Sequence, residues 1–134
     1  MSFENKCIAV TGAAGNLGQA VARAFHELGA TLILIDRVEA ALEGAKAERI
    51  RSEVVDLTDA SATLAAFERI GAVDVLCNVA GGFDMGTPVH ELDADQWETM
   101  LDINARTAIN ASRAAVPKMH LHVRETRPKF GLKQ

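Results

Sequence analysis

The sequence predicts an α/β fold built on a doubly wound parallel sheet, and three observations predict it. Apolar strand-like runs alternate with helix-periodic stretches from residue 6 to about residue 119. The runs Thr31-Leu32-Ile33-Leu34-Ile35 and Val73–Ala80 show little polar alternation, as strands do when both faces are covered. Finally, the stretch Val10-Thr11-Gly12-Ala13-Ala14-Gly15-Asn16-Leu17-Gly18 joins an apolar run to a helical pattern through a glycine turn. A strand–helix–strand succession of this kind implies parallel strands and right-handed crossovers.

The elements follow in order. Residues 6–11 form the first strand. Leu17, Ala20, Val21, Ala24, Phe25 and Leu28 recur at helical spacing on one face, and Gly29 ends that helix. The second strand, Thr31–Ile35, is closed by Asp36, and a short helix is expected around Val38–Ala47. Arg49–Asp56 mixes Arg51, Ser52 and Glu53 with Val54 and Val55, which suits a less buried strand at a sheet edge. Ala60–Ile70 is the next helix, with Thr58 or Asp59 placed to cap it. Val73–Ala80 is the fourth strand, broken by Gly81-Gly82. A loop containing glycine and proline runs to Leu92 and is a candidate binding loop. Asp93 with Gln96 makes an aspartate version of the capping box, and a long helix then continues to about Met119. Its stripe Trp97, Leu101, Asn104, Ala108, Ala111, Ala115 is expected to face the sheet. One domain is expected over residues 1–119, followed by an irregular basic tail over 120–134 with four basic residues against one acid.

Composition narrows the function classes. A chain of 134 residues, 49% hydrophobic and 24% charged, is that of an ordinary single globular domain. Its net charge of −4 argues against nucleic acid as a partner, which needs a basic face. No apolar run is long enough to span a membrane, and the N-terminus lacks a signal-peptide pattern. Cys7 and Cys77 lie far apart inside apolar runs and are read as small buried hydrophobes, so a cytoplasmic, reducing setting is the default. His26 and His90 are expected at the surface and His120 and His122 lie in the tail, so no metal site is expected.

The chemistry concentrates at the strand ends. The Gly12–Gly18 turn directs unpaired backbone N–H groups and the positive end of a helix dipole at one spot, which suits a phosphate anion. Glycine permits the tight turn and lets a pyrophosphate approach the backbone. Asp36, eighteen residues after Gly18, stands where an acid accepts hydrogen bonds from adenosine ribose hydroxyls and repels a 2′-phosphate. A strand-end aspartate also serves as a helix cap, but the upstream turn favours the ribose role. Arg37 could pair with a phosphate; repulsion from Asp36 still makes NAD the preferred cofactor over NADP. Asp56 and Leu57 end the third strand, where an adenine contact and a plain turn are both open. Asn78, in an apolar strand, needs its amide satisfied by a neighbouring strand or by a cofactor. Asn104 is open to bonding the carbonyl one turn back.

Five features in order resemble the short-chain dehydrogenase/reductase family in its short single-domain branch. They are the Thr11–Gly18 turn, Asp36, Asp56-Leu57, the Asn78–Gly81 strand end, and the helix Trp97-Glu98-Thr99-Met100-Leu101-Asp102-Ile103-Asn104. The resemblance runs from about Lys6 to Met119. It implies a Rossmann-like fold with strand order 3-2-1-4 and an oxidoreductase moving hydride between nicotinamide and an alcohol or carbonyl. By resemblance, Gly12, Ala14, Gly15, Asn16, Leu17 and Gly18 hold the pyrophosphate and Asp36 the adenosine ribose, with Arg37 beside it. Asp56 and Leu57 flank adenine, and Asn78, Ala80 and Gly81 line the route to the nicotinamide ribose. Asn104 matches the asparagine of the family's Asn-Ser-Tyr-Lys tetrad.

There are departures. The branch usually carries glycine where this chain has Asn16, a spacing shared with the family's extended branch. Asparagine tolerates left-handed backbone angles, so the turn is expected to survive, and the tryptophan-bearing helix favours the short branch. Val79 replaces a second asparagine. The chain contains no tyrosine, and the family's serine strand would begin after Met119. The expectation is therefore a truncated form lacking the C-terminal half and the catalytic Ser, Tyr and Lys, with Asn104 left without its relay partners. Alternatives are a non-catalytic nucleotide-binding or redox-sensing module, or a half-enzyme completed by a partner chain. The fourth strand then becomes an exposed edge, and self-association through it and the last helix is expected.

Overall fold

Residues 1–42, 47–84 and 86–119 are described by a computed structural model of the chain. The elements are β1 (Cys7–Thr11), α1 (Asn16–Glu27), β2 (Thr31–Asp36), β3 (Ile50–Val54), α2 (Ala60–Ile70), β4 (Val75–Cys77), α3 (Ala94–Leu101) and α4 (Thr107–Ala115). Short 3₁₀ turns occupy Ala47–Arg49, Val89–Glu91 and Val116–Lys118. The expected tail lies outside the described residues.

All strand pairs are parallel, in the order β3-β2-β1-β4 that the resemblance implied. Strand side chains alternate between two cores, one on each face of the sheet. Ile8, Val10, Leu32 and Leu34 pack with Ala22 of α1, whereas Ala9, Ile33 and Ile35 pack with Phe67 of α2 and Ala111 and Ala115 of α4. This is the doubly wound arrangement. As expected, β3 is an edge strand, and it buries Glu53 against Arg69 of α2, with Arg51 as a second cation. Asp59 caps α2 by accepting the Ala62 N–H at 2.9 Å, and the Asp93–Gln96 capping box is present at α3.

Five sequence expectations change. Residues 38–42 of the expected Val38–Ala47 helix form a bend and irregular backbone, and residues 43–46 lie outside the description. Ala40 and Leu42 are both buried, an i, i+2 pattern that a helix cannot place on one side. β4 is shorter than Val73–Ala80, because main-chain pairing with β1 covers only Val75–Cys77.

The buried face of α1 is rotated, with Gly18 and Ala22 inward, Val21 and Phe25 half-buried, and Leu17 67% exposed. Close packing of the helix start on the turn requires the smallest residue inside. The last helix is the fourth case. A π turn over Asp102–Arg106, marked by the Thr107 N–H reaching the Asp102 carbonyl, inserts an extra residue into the helical repeat. Downstream, Thr107, Asn110, Ala111, Ala114 and Ala115 are buried, while Trp97, Leu101 and Asn104 of the expected stripe are exposed. His26 is half-buried rather than at the surface, and His90 is exposed.

Candidate functional site

The site lies at the C-terminal end of the parallel strands and starts where β1 stops. Gly12 adopts φ +64°, and a Cβ there would lie 2.7 Å from the Ala80 Cα. Two backbone segments therefore meet where only glycine fits. At Gly18 a Cβ would overlap the Gly12 carbonyl oxygen and sit 2.8 Å from the Ala13 Cα. Gly15 precedes α1 with no side-chain cap, and the first turn holds no acid. The amides of Asn16, Leu17 and Gly18 thus have no acceptor within the helix. They border a cavity of about 440 Å³, lined also by Gly12, Ala14, Gly15 and Asp36. Asn16 has no left-handed backbone angle; the only non-glycine described with positive φ is Asn5. The tolerance expected of asparagine is not used, because Gly12 carries the left-handed position.

Asp36 closes the turn from the side. One carboxylate oxygen accepts the Ala14 N–H at 2.9 Å and the other the Arg37 N–H at 2.7 Å. Each oxygen keeps room for a further donor. A second cavity, of about 220 Å³, adjoins the first and shares Gly12, Asp36 and Gly81 with it. Its walls are the apolar Val55, Leu57 and Ile103, with Arg37, Asp56 and Thr58 at polar points. Asp56 accepts the Thr58 hydroxyl at 2.7 Å and the Thr58 N–H at 2.9 Å, bonds that hold its carboxyl below the ordinary carboxylate range. The Asn110 amide donates to the Leu57 carbonyl at 2.9 Å and fixes this wall to α4.

The other side is the segment after β4. Thr11, 1% exposed, accepts the Val79 and Ala80 N–H groups at 3.0 and 3.1 Å and donates to the Cys77 carbonyl at 3.3 Å. One hydroxyl thus continues the β1–β4 junction beyond its ladder. Ala80 and Gly81 line the second cavity, but Asn78 lines neither. Its amide donates to the Ser112 hydroxyl of α4 at 3.1 Å, a helix partner in place of the neighbouring strand that the sequence suggested. Asn104 accepts the Gly82 N–H at 3.1 Å and donates to the Gly82 carbonyl at 2.9 Å and the Met100 carbonyl at 3.0 Å. Both amide hydrogens are used, so this residue latches the glycine loop to the π turn.

Ala14, Gly15, Asn16, Leu17, Gly18, Asp36, Arg37, Asp56, Leu57, Ala80 and Gly81 are thus gathered around Gly12, while Asn78 stands apart. Sequence reasoning missed Val55, Thr58, Gly82, Ile103 and Thr107 as lining residues. Val55 and Thr58 flank Asp56-Leu57 and could have been found from that neighbourhood; Ile103 and Thr107 depend on the π turn. Burial raises the thiols of Cys7, with Asp74 adding to it, and of Cys77. No helix among the described residues is long and apolar enough to cross a membrane.

Known proteins match this chain in sequence and in fold. The model of the family described as short chain dehydrogenase matches residues 6–127, past the expected limit at Met119. The 2,3-dihydro-2,3-dihydroxybenzoate dehydrogenase of Bacillus subtilis is 35% identical over 122 residues, covering 84% of this chain and 46% of that protein. The galactitol 2-dehydrogenase (L-tagatose-forming) of Cereibacter sphaeroides is 36% identical over 119 residues, again covering 84% and 46%. A solved short-chain dehydrogenase/reductase (glucose/ribitol dehydrogenase) of Brucella melitensis superposes with a TM-score of 0.75 at 29% identity, covering 89% and 54%. The chain spans about half the length of these relatives. From its glycine turn to its last helix, the chain belongs to the short chain dehydrogenase family of oxidoreductases.

Proposed function

We propose that these 134 residues form the cofactor-binding half of a nicotinamide-dependent oxidoreductase, with NAD preferred over NADP. The observation that carries this reading is the pair of adjoining cavities sharing Gly12, Asp36 and Gly81 at the strand ends. The residues fit the group. The cradle at Gly12 has no room for a Cβ, and the uncapped amides of Asn16, Leu17 and Gly18 suit a pyrophosphate. Asp36 has acceptor capacity left for ribose hydroxyls, and Val55 with Leu57 offers an apolar wall for adenine. Bound nicotinamide would supply the hydride donor or acceptor, for an alcohol or carbonyl substrate of the kind named in the galactitol relative.

The same residues offer no phenol to handle the substrate proton, since the 134 residues include no tyrosine. Binding without turnover is therefore the expected behaviour of this chain alone. Hydride transfer would need the half of the family length that the chain does not span, on the same or a partner polypeptide. Calorimetry with NAD, NADP and AMP tests the reading: NAD should bind more tightly than NADP, and AMP binding about as well as NAD would mean that the nicotinamide end has no home. Steady nicotinamide reduction by the purified chain would overturn the half-site reading. Asp36→Ala should weaken NAD by more than about tenfold and narrow the gap to NADP, since even one hydrogen bond to a carboxylate is worth about 1.5–3 kcal/mol. An unchanged NAD affinity would remove Asp36 from the ribose.

We also infer that two copies associate when this chain stands alone, because β4 is the outer strand of the described sheet. Trp97, Leu101, Ile109 and Val116 add exposed apolar surface on the last helix. Sedimentation should show concentration-dependent mass, and a constant monomer contradicts the inference. The two free, half-buried thiols fit a reducing, cytoplasmic setting.

A further inference from the structure

We propose that Gln19 is a positioning residue that sets the preference of the site for an unphosphorylated adenosine ribose. The inference rests on the cofactor reading above. Gln19 is the fourth residue of α1 and lines neither cavity. Its side-chain nitrogen carries two hydrogens. It donates to the Ala13 carbonyl at 2.7 Å and to the Ala41 carbonyl at 2.9 Å. One side chain thereby straps the glycine turn to the irregular segment that follows β2.

Asp36 spans the same gap from the other direction, through the Ala14 and Arg37 N–H groups. A closed ring results. Ala13 and Ala14 are consecutive, Asp36 connects Ala14 to Arg37, the backbone runs from Arg37 to Ala41, and Gln19 returns to Ala13. Residues 37–42 have no helix or strand to hold them. Among the described residues their further ties include the Ala40 N–H to the Ser52 hydroxyl at 3.3 Å, the attraction between Arg37 and Asp56, and the burial of Ala40 and Leu42. Together with the Asp36 bonds and the Ala13 N–H to the Ile35 carbonyl at 3.2 Å, the strap opposes separation of the turn from the segment carrying Arg37.

The consequence falls on Asp36. Fixed by two backbone donors, its carboxylate keeps one acceptor site on each oxygen, the complement of two neighbouring hydroxyls. A carboxylate free to rotate could turn from a 2′-phosphate and leave that anion to Arg37. Inside the intact ring it cannot turn without breaking a bond to Ala14 or Arg37, so repulsion of the phosphate persists. Gln19 acts through those two N–H groups.

The test titrates the 134-residue chain, Gln19→Met and Gln19→Asn with NAD and NADP by calorimetry, with circular dichroism as the check of folding. Methionine keeps the length without donors, and asparagine is one methylene shorter. Either folded variant should narrow the NAD-to-NADP affinity ratio about fivefold, the scale of one net hydrogen bond. In an Asp36→Asn background, Gln19→Met should leave the ratio unchanged, because the two act as a unit. Equal weakening of both dinucleotides, or the same ratio change with and without Asp36, would overturn the proposal and leave Gln19 a structural tie. Failure of the unaltered chain to bind either dinucleotide would instead remove the cofactor reading itself.

Discussion

Alanine at Gly18 is expected to cost about 3 kcal/mol of stability, the upper end for a forced core insertion, and to abolish dinucleotide binding. The new Cβ would overlap the Gly12 carbonyl oxygen and press on the Ala13 Cα, both backbone atoms that no rotamer change can move aside. Relief requires α1 to withdraw from the turn. That moves the open amides of Asn16 and Leu17 away from the anion position, so stability and affinity fall together. A native domain holds about 5–15 kcal/mol in all, so the variant should remain measurable in urea. Gly15→Ala is the control: its Cβ would come no nearer than 3.4 Å to the Gly12 carbonyl oxygen, and it should lose far less stability. Denaturant midpoints that are equal for the two variants would contradict the close-approach argument.

The second large effect is expected at Thr11. Thr11→Val preserves shape but removes the one hydroxyl that three backbone groups share. The Val79 and Ala80 N–H groups would lose their acceptor in a site where Thr11 is almost fully buried. Each such orphaned donor costs about 1–3 kcal/mol, so a total loss of about 2–6 kcal/mol is expected. Thr11→Ser keeps the hydroxyl and should recover most of it. Because Ala80 also stands against Gly12, the valine variant should loosen the wall shared by both cavities. Urea unfolding of the three proteins, with NAD titrations alongside, checks both parts. A serine variant as unstable as the valine one would point to the methyl group instead.

The parts of the site that were legible in the sequence are those written in short-range chemistry. The glycine turn, Asp36 at a strand end and the Asp93–Gln96 box each announce themselves within a few residues, because phosphate geometry, strand termination and capping are local requirements. The order of the strands came through the resemblance of five such features in succession. What stayed hidden depends on distant partners. Asn78 reads equally as a ligand contact or a brace until Ser112 is placed beside it. Gln19 looks like an ordinary polar helix residue until residues 13 and 41 converge on its amide. The π turn defeats periodicity itself, since a stripe counted from Trp97 at regular helical spacing lies off the sheet until the turn at Asp102–Arg106 shifts the helix phase. The failed helix after Val38 has the same origin, because burial of Ala40 and Leu42 is decided by α1 and the sheet together.

That wider turn also divides the labour along one unbroken rod. Within the turn itself the rod answers to the loop at Gly82 through Ile103 and Asn104; behind it, the rod answers to the sheet through Asn110 and the alanines. A single added residue of winding lets the two ends keep separate phases without a break in the backbone ladder.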